Sequence, residues 1–183
     1  EHMRFNMIEQ QIRPWNVLNQ RVLNVFDIVN RDDFVVDEHK LLAFSEVRLP
    51  LGGKDQMLTP AIEGRILQEV DIQAEDNVLI VGTGSGFLAA LAANLGQTVT
   101  AIDINNDYTQ KAKANAERVG LTTIDFVTAD VKDFVIENNR YDVIILTGSI
   151  SEVPQKFIDG LTATGRLFAF VGQHGATVTS GTV

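Results

Sequence analysis

Val78-Leu79-Ile80-Val81-Gly82-Thr83-Gly84-Ser85-Gly86-Phe87-Leu88 reads as an apolar strand, a glycine turn and the start of a helix. About 20 residues beyond Gly82, Asp103 closes a second apolar strand that begins at Thr98. This is the pattern of a nucleotide-binding βαβ unit, in which an acidic residue takes the ribose hydroxyls. The glycines matter because a residue without Cβ lets the backbone turn sharply and approach a ligand closely. Their spacing is G-x-G-x-G, with Phe87 in the sixth position, whereas the dinucleotide fingerprint is G-x-G-x-x-G. The plainer alternative is a loop that serves only a tight strand-to-helix turn.

Outward from this unit, strands are expected at 77–81, 98–102, 124–128, 141–146 and 166–171. Helices are expected near 86–95, 107–119 and 153–161, the second stopping at Gly120. Short apolar strands alternating with helices imply an α/β fold, a doubly wound and mostly parallel sheet covered on both faces. Ligands of such sheets sit at the C-terminal strand ends, where the strand order switches. Gly82, Asp103, Asp130 and Thr147 fall at that end of four successive strands. Upstream, Met7 to Ile12 and Asn19 to Val29 have helical spacing, separated by Pro14. Val22, Val25, Phe26 and Val29 share one face, either core packing or an oligomerising seam. Phe34 to Leu58 is irregular and breaks at Pro50-Leu51-Gly52-Gly53. Thr59-Pro60 then opens a helix, a capping hydroxyl followed by proline, with Ile62, Ile66, Leu67 and Val70 as its buried stripe. The chain divides into an N-terminal helical region with its loop, 3–60, and a core, 61–183. Glu1-His2 ahead of Met3 is set apart from the fold.

A chain of 183 residues is long enough to bury a core of its own. A net charge of −9 and a pI near 4.7 disfavour nucleic acid, whose phosphates it repels. With no cysteine, disulfides, thiolate catalysis and Cys-ligated zinc are excluded. His2, His39 and His174 are scattered, so no metal site is expected. No apolar run reaches the roughly 18 residues of a membrane span, and no signal-peptide core stands out, so a cytoplasmic location is expected.

Each candidate site residue has a plain structural alternative. Asp103 either holds a ribose or caps a turn. Asp130 either accepts from an adenine amino group or caps the segment after it. Leu146-Thr147-Gly148-Ser149 either faces the reactive end of a cofactor or is turn chemistry. Trp15, the sole tryptophan, either packs a helix pair or touches substrate. Lys111, Lys113 and Glu117 read as a solvated helix face, and Arg4, Arg13 and Arg21 are too dispersed to mark a phosphate site.

The glycine loop Gly82-Thr83-Gly84-Ser85-Gly86-Phe87 is similar to that of S-adenosylmethionine (SAM) methyltransferases. Met7-Ile8-Glu9-Gln10-Gln11-Ile12-Arg13, Asn19-Gln20-Arg21-Val22-Leu23 and Val29-Asn30-Arg31-Asp32-Asp33-Phe34-Val35 resemble the N-terminal region of protein-L-isoaspartate O-methyltransferases. Leu49-Pro50-Leu51-Gly52 through Thr59-Pro60 resembles that family's signature loop. Tyr141 to Thr147, Val153-Pro154 and Gly165-Arg166-Leu167 to Gly172 are similar to its later landmarks. The resemblance spans about residues 7–173. It implies a Rossmann-like fold, SAM as methyl donor, S-adenosylhomocysteine as product, and methylation of a carboxylate on an isoaspartyl-type peptide or protein, a protein-repair activity.

On that basis the cofactor candidates are Gly82, Thr83, Gly84, Ser85 and Gly86 on the loop, Asp103 and Ile104 after the second strand, Asp130 and Val131 after the third, and Thr147 after the fourth. The catalytic candidates are Gln56 and Thr59. The sequence departs from the family pattern in three places. Leu58 occupies the position of the signature serine, and a leucine neither donates nor accepts a hydrogen bond. Gln56 occupies a threonine position, and Thr59, one residue past Leu58, is the available hydroxyl. Ile80 stands where the family has an acidic residue near the methionine end of SAM. After the fifth strand only a Thr/Gly/Val-rich segment, 175–183, remains, a short strand at most, so the last strands of the fold are expected to be missing. Two other functions stay open: a methyltransferase for a small-molecule acceptor, favoured by the apolar Leu51, Met57 and Leu58, and a module that binds SAM without catalysis. A nucleotide-linked dehydrogenase is disfavoured by the glycine spacing. The oligomeric state is open.

Overall fold

The computed structural model describes residues 1–172 and carries one sheet of five strands, β1 (Asn77–Val81), β2 (Thr98–Asp103), β3 (Ile124–Thr128), β4 (Tyr141–Ile150) and β5 (Leu161–Val171). Every pairing is parallel and the order is β3-β2-β1-β4-β5. The order reverses between β1 and β4, so a crevice opens above those two strands. Side chains alternate across β1. Val78 and Ile80 join the core shared with the N-terminal helices, and Leu79 joins the core on the opposite face, with Phe157 of the helix α6 (Gln155–Gly160). Both faces are therefore covered, which is why the central strands β1 and β4 carry unbroken apolar runs at 78–81 and 143–146.

The first face is covered by α4 (Phe87–Ala93), α3 (Pro60–Val70) and the N-terminal segments. The alanines of α4 keep that helix thin, and Phe87, 1 % exposed, contributes roughly 2–3 kcal/mol of burial at its first turn. Its ring meets those of Phe26 and Phe34 at 6.0 and 5.6 Å. Helix α1 (His2–Met7) runs on through a π turn (Ile8–Ile12) and a 3-10 turn (Arg13–Trp15) before Asn16 reverses the chain at φ 64°. It takes in His2, so the N-terminal residues are part of the fold. In α2 (Gln20–Ile28), the Asn19 side chain accepts the Arg21 N–H at 2.9 Å. The face carrying Val22, Val25, Phe26 and Val29 is buried in the core and leaves no free seam there.

Several boundaries move. Strand β4 continues to Ile150 and β5 begins at Leu161, while α6 covers only Gln155–Gly160. Thr59 stands at the N-cap of α3, but its hydroxyl makes no capping bond; Glu46 Oε2 accepts the Ala61 N–H at 3.1 Å instead. Within the stripe of α3, Ile66, Leu67 and Val70 are buried and Ile62 is half-buried. Trp15 is 54 % exposed and packs no helix pair. Helix α5 (Asn106–Arg118) buries Ala112 and Ala116 and leaves Lys111, Lys113 and Glu117 in solvent. The segment 175–183 lies outside the described residues. Among the described residues, no helix is long and apolar enough to cross a membrane.

Candidate functional site

The glycine loop lies at the C-terminal edge of β1. Gly82 has φ 95°, and a Cβ on it would fall 2.0 Å from Thr147 Oγ1. That threonine comes from β4, and its hydroxyl donates to Val81 O at 2.9 Å and Gly82 O at 3.1 Å, tying the two strands at the crevice. Only glycine satisfies both the left-handed backbone and the close approach. Gly86, at φ 87°, starts α4, and a Cβ there would press on Ala112 of α5. The third glycine is thus a packing position between loop and helix. Asp103 bridges the loop to the end of β2: Oδ2 accepts the Thr83 N–H at 3.0 Å and Oδ1 the Asn105 N–H at 2.9 Å. A carboxylate has about four lone-pair positions, so two remain for a ligand. The Thr83 hydroxyl is buried and has no partner among the described residues.

Above the loop is a cleft of about 320 Å³. Its roof is a strap, residues 49–57, folded on itself by Met57 N–H to Leu49 O at 2.7 Å and Leu51 N–H to Asp55 O at 3.0 Å. Tyr108 of α5 holds the strap down, its hydroxyl donating to Asp55 Oδ2 at 3.0 Å. Burial, then the Asp55 and Asp103 carboxylates, push the Tyr108 phenol above its usual range, so it stays a donor. Met57, Leu58, Phe87 and Leu88 form the apolar wall.

One charged side chain, Glu63 of α3, stands in that wall, 3 % exposed. It accepts from Nη1 of Arg31, which is fully buried, while Arg31 Nη2 donates to Leu58 O at 2.6 Å. The guanidinium lies over the Phe87 ring, 4.8 Å from its centroid. Burial raises the Glu63 carboxyl to about 7, against the lowering pull of Arg31. Sequence reasoning passed over this pair, although Glu63 sits three, four and seven residues before Ile66, Leu67 and Val70, inside the apolar stripe of its helix. Tyr108 carried no comparable signal.

The cleft brings together Gly82, Thr83, Gly84, Ser85, Asp103, Ile104, Thr147 and Gln56. It does not bring in Gly86, Asp130, Val131 or Thr59. Asp130 turns its carboxylate onto its own segment, Oδ1 accepting the Lys132 N–H at 2.9 Å, and Val131 O accepts from the Lys156 ammonium. The Thr59 hydroxyl is buried without a partner among the described residues. Ile80 is 1 % exposed in the core, so its side chain does not reach the crevice.

A family model described as Protein-L-isoaspartate(D-aspartate) O-methyltransferase matches residues 3–180. The chain belongs to this family. A protein-L-isoaspartate O-methyltransferase of Methanoculleus marisnigri is 34 % identical over 169 residues, covering 92 % of this chain and 77 % of the relative. One from Koribacter versatilis is 30 % identical, covering 92 % and 76 %. In three dimensions, a solved protein-L-isoaspartate O-methyltransferase superposes with a TM-score of 0.80 at 22 % identity, over 92 % of this chain and 55 % of that one. A Plasmodium falciparum protein described as a protein-L-isoaspartate O-methyltransferase, solved with S-adenosyl-L-homocysteine, gives a TM-score of 0.77 at 14 % identity, over 93 % and 84 %. These two likenesses establish the fold. This member of the isoaspartate methyltransferase family sets its glycine loop and Asp103 at the cleft floor, with Leu58 and Glu63, the latter paired with Arg31, in the wall.

Proposed function

We propose that this chain binds SAM in the cleft over Gly82 and methylates a carboxylate oxygen on an isoaspartyl-type peptide or protein, in the cytoplasm. The observation that carries this reading is the juxtaposition of the glycine loop, Asp103 and Thr147 at the switch point of the sheet, in a member of a family named for that reaction. The residues present fit the cofactor. Gly82 leaves the backbone bare where a ligand would pass, Asp103 retains lone pairs for ribose hydroxyls, and Thr83 offers an unpartnered hydroxyl.

The bound sulfonium supplies a methyl group already activated for transfer. An acceptor carboxylate, with a pKa near 4, is ionised at neutral pH and needs no general base. The work of the chain is alignment and exclusion of water. Met57, Leu58, Phe87 and Leu88 dry the wall, the strap closes the top, and the Gln56 amide orients the acceptor from the strap. Thr59 lies outside the cleft, so of the two residues the sequence offered only Gln56 faces the acceptor side.

Calorimetric titration with SAM and S-adenosylhomocysteine, followed by radiolabelled transfer to an isoaspartyl peptide, tests this. Binding with transfer supports it. Binding without transfer removes the acceptor, and no binding of either ligand removes the cofactor. The apolar Leu51, Met57 and Leu58 favour a second reading, a small-molecule acceptor, which transfer to a metabolite panel but not to the peptide would establish.

A further inference from the structure

The cleft has a charge problem. Among the described residues that line it, three are carboxylates, Asp55, Glu63 and Asp103, and none is lysine, arginine or histidine. Behind the wall lies the buried cation Arg31, and its charge is already matched by Glu63. Asp103 accepts from two backbone N–H groups and Asp55 from the Tyr108 hydroxyl, and neither is paired with a buried cation among the described residues. Glu63 differs. Its Oε2 takes Arg31, its Oε1 takes no bond from the described residues, and it stands beside Leu58 where the wall is otherwise apolar. An incoming acceptor carboxylate would put two anions against one buried guanidinium. Two carboxylates that share one site do not both stay ionised; one takes a proton.

Resting on the carboxylate-acceptor reading above, we propose that Glu63 is the residue that recognises the acceptor: as the protonated acid it donates a hydrogen bond to the acceptor carboxylate, and acceptor binding takes up one proton from solvent. The site then holds one positive charge on Arg31, one negative charge on the acceptor, and a neutral Glu63 that donates from one oxygen while the other still accepts from Arg31. Glu63 is prepared for this by its surroundings. Burial works against its charge, Arg31 from the 3-10 turn Arg31–Phe34 works for it, and Glu46, which caps α3, works against it, the balance falling at about 7. No other side chain in the apolar wall supplies a donor, since Met57, Leu58, Phe87 and Leu88 have none.

The test is a calorimetric titration of an isoaspartyl peptide into the chain saturated with S-adenosylhomocysteine, in two buffers of different ionisation enthalpy. At about pH 8, where Glu63 starts largely ionised, close to one proton is taken up per peptide bound; near pH 6 the uptake falls well below one. The dissociation constant rises about tenfold per pH unit above the Glu63 pKa and is flat below it. In Glu63→Gln, an amide that donates at every pH, the uptake vanishes and affinity no longer depends on pH. Should that variant fold poorly, the proton count on the wild-type chain decides alone. Peptide binding with no uptake and equal affinity at both pH values overturns the role of Glu63 while leaving the carboxylate acceptor intact. Binding of S-adenosylhomocysteine with no peptide binding or methylation anywhere between about pH 5 and 9 overturns the acceptor reading itself, and this proposal with it.

Discussion

Arg31→Met tests whether the buried ion pair holds the cleft wall. The substitution removes three interactions: the bond from Nη1 to Glu63, the bond from Nη2 to Leu58 O at 2.6 Å, and the contact with the Phe87 ring. Methionine refills much of the aliphatic volume, so the cavity contribution stays small. Stranding the Glu63 carboxylate, 3 % exposed, without its partner costs about 3–5 kcal/mol. The unpaired Leu58 carbonyl adds roughly 1 kcal/mol. A loss of about 4–6 kcal/mol lowers Tm by roughly 10–20 °C in a chain of this size. The sign of the pH dependence follows from Glu63. Its pKa in the fold lies above the unfolded value, so the folded state holds the proton more tightly and stability rises as pH falls. Without Arg31 the carboxyl is pushed higher still, and the deficit of the variant is largest at and above neutral pH and narrows toward about pH 5. Arg31→Met combined with Glu63→Leu recovers most of the loss, because no buried charge remains. Urea unfolding of the wild type, both single variants and the double variant at two pH values measures all of this. A loss below about 1 kcal/mol for Arg31→Met near neutral pH, or a double variant no more stable than the single, refutes the coupling.

Three further outcomes follow from the geometry. Gly82→Ala places a methyl group against Thr147 at a positive φ, so it costs about 2–3 kcal/mol in urea unfolding and abolishes SAM binding; wild-type affinity would show that the close approach at Gly82 is unimportant. Asp103→Ala weakens SAM binding by about 10- to 100-fold in calorimetry, from the loss of charge-assisted bonds; unchanged affinity removes the ribose contact. Tyr108→Phe frees the strap from α5 and speeds S-adenosylhomocysteine release by about fivefold in stopped-flow, equally at pH values from about 6 to 9 because the wild-type phenol stays protonated; an unchanged release rate means the Asp55 contact does not latch the strap.

The parallel sheet and the location of its ligand edge were legible in the chain because both arise from local pattern. Residues 77–81 and 98–103 are of strand length with apolar residues at 78–81, 99, 101 and 102, and the glycines between them announce a turn that no other residue makes. Asp103 was legible for the same reason, since its place follows from the length of one βαβ unit. The cap of α3 was not, because Glu46, fifteen residues before Ala61, takes the bond that Thr59 is built to take. Asp130 follows β3 as the pattern predicts, but a short turn takes one oxygen of its carboxylate and the residue does not line the cleft. The wall of the cleft depends on contacts between segments far apart in the chain. Arg31 reaches Glu63 across 32 residues, and Tyr108 reaches Asp55 across 53. Periodicity says that Glu63 lies on a buried face, but only packing says that Arg31 is there to meet it and that the cleft opens beside it. The fold and the glycine-loop edge of this protein are therefore properties of short-range pattern, whereas the charges in the wall of its cleft are set by packing, because only burial decides which distant groups share one dry space.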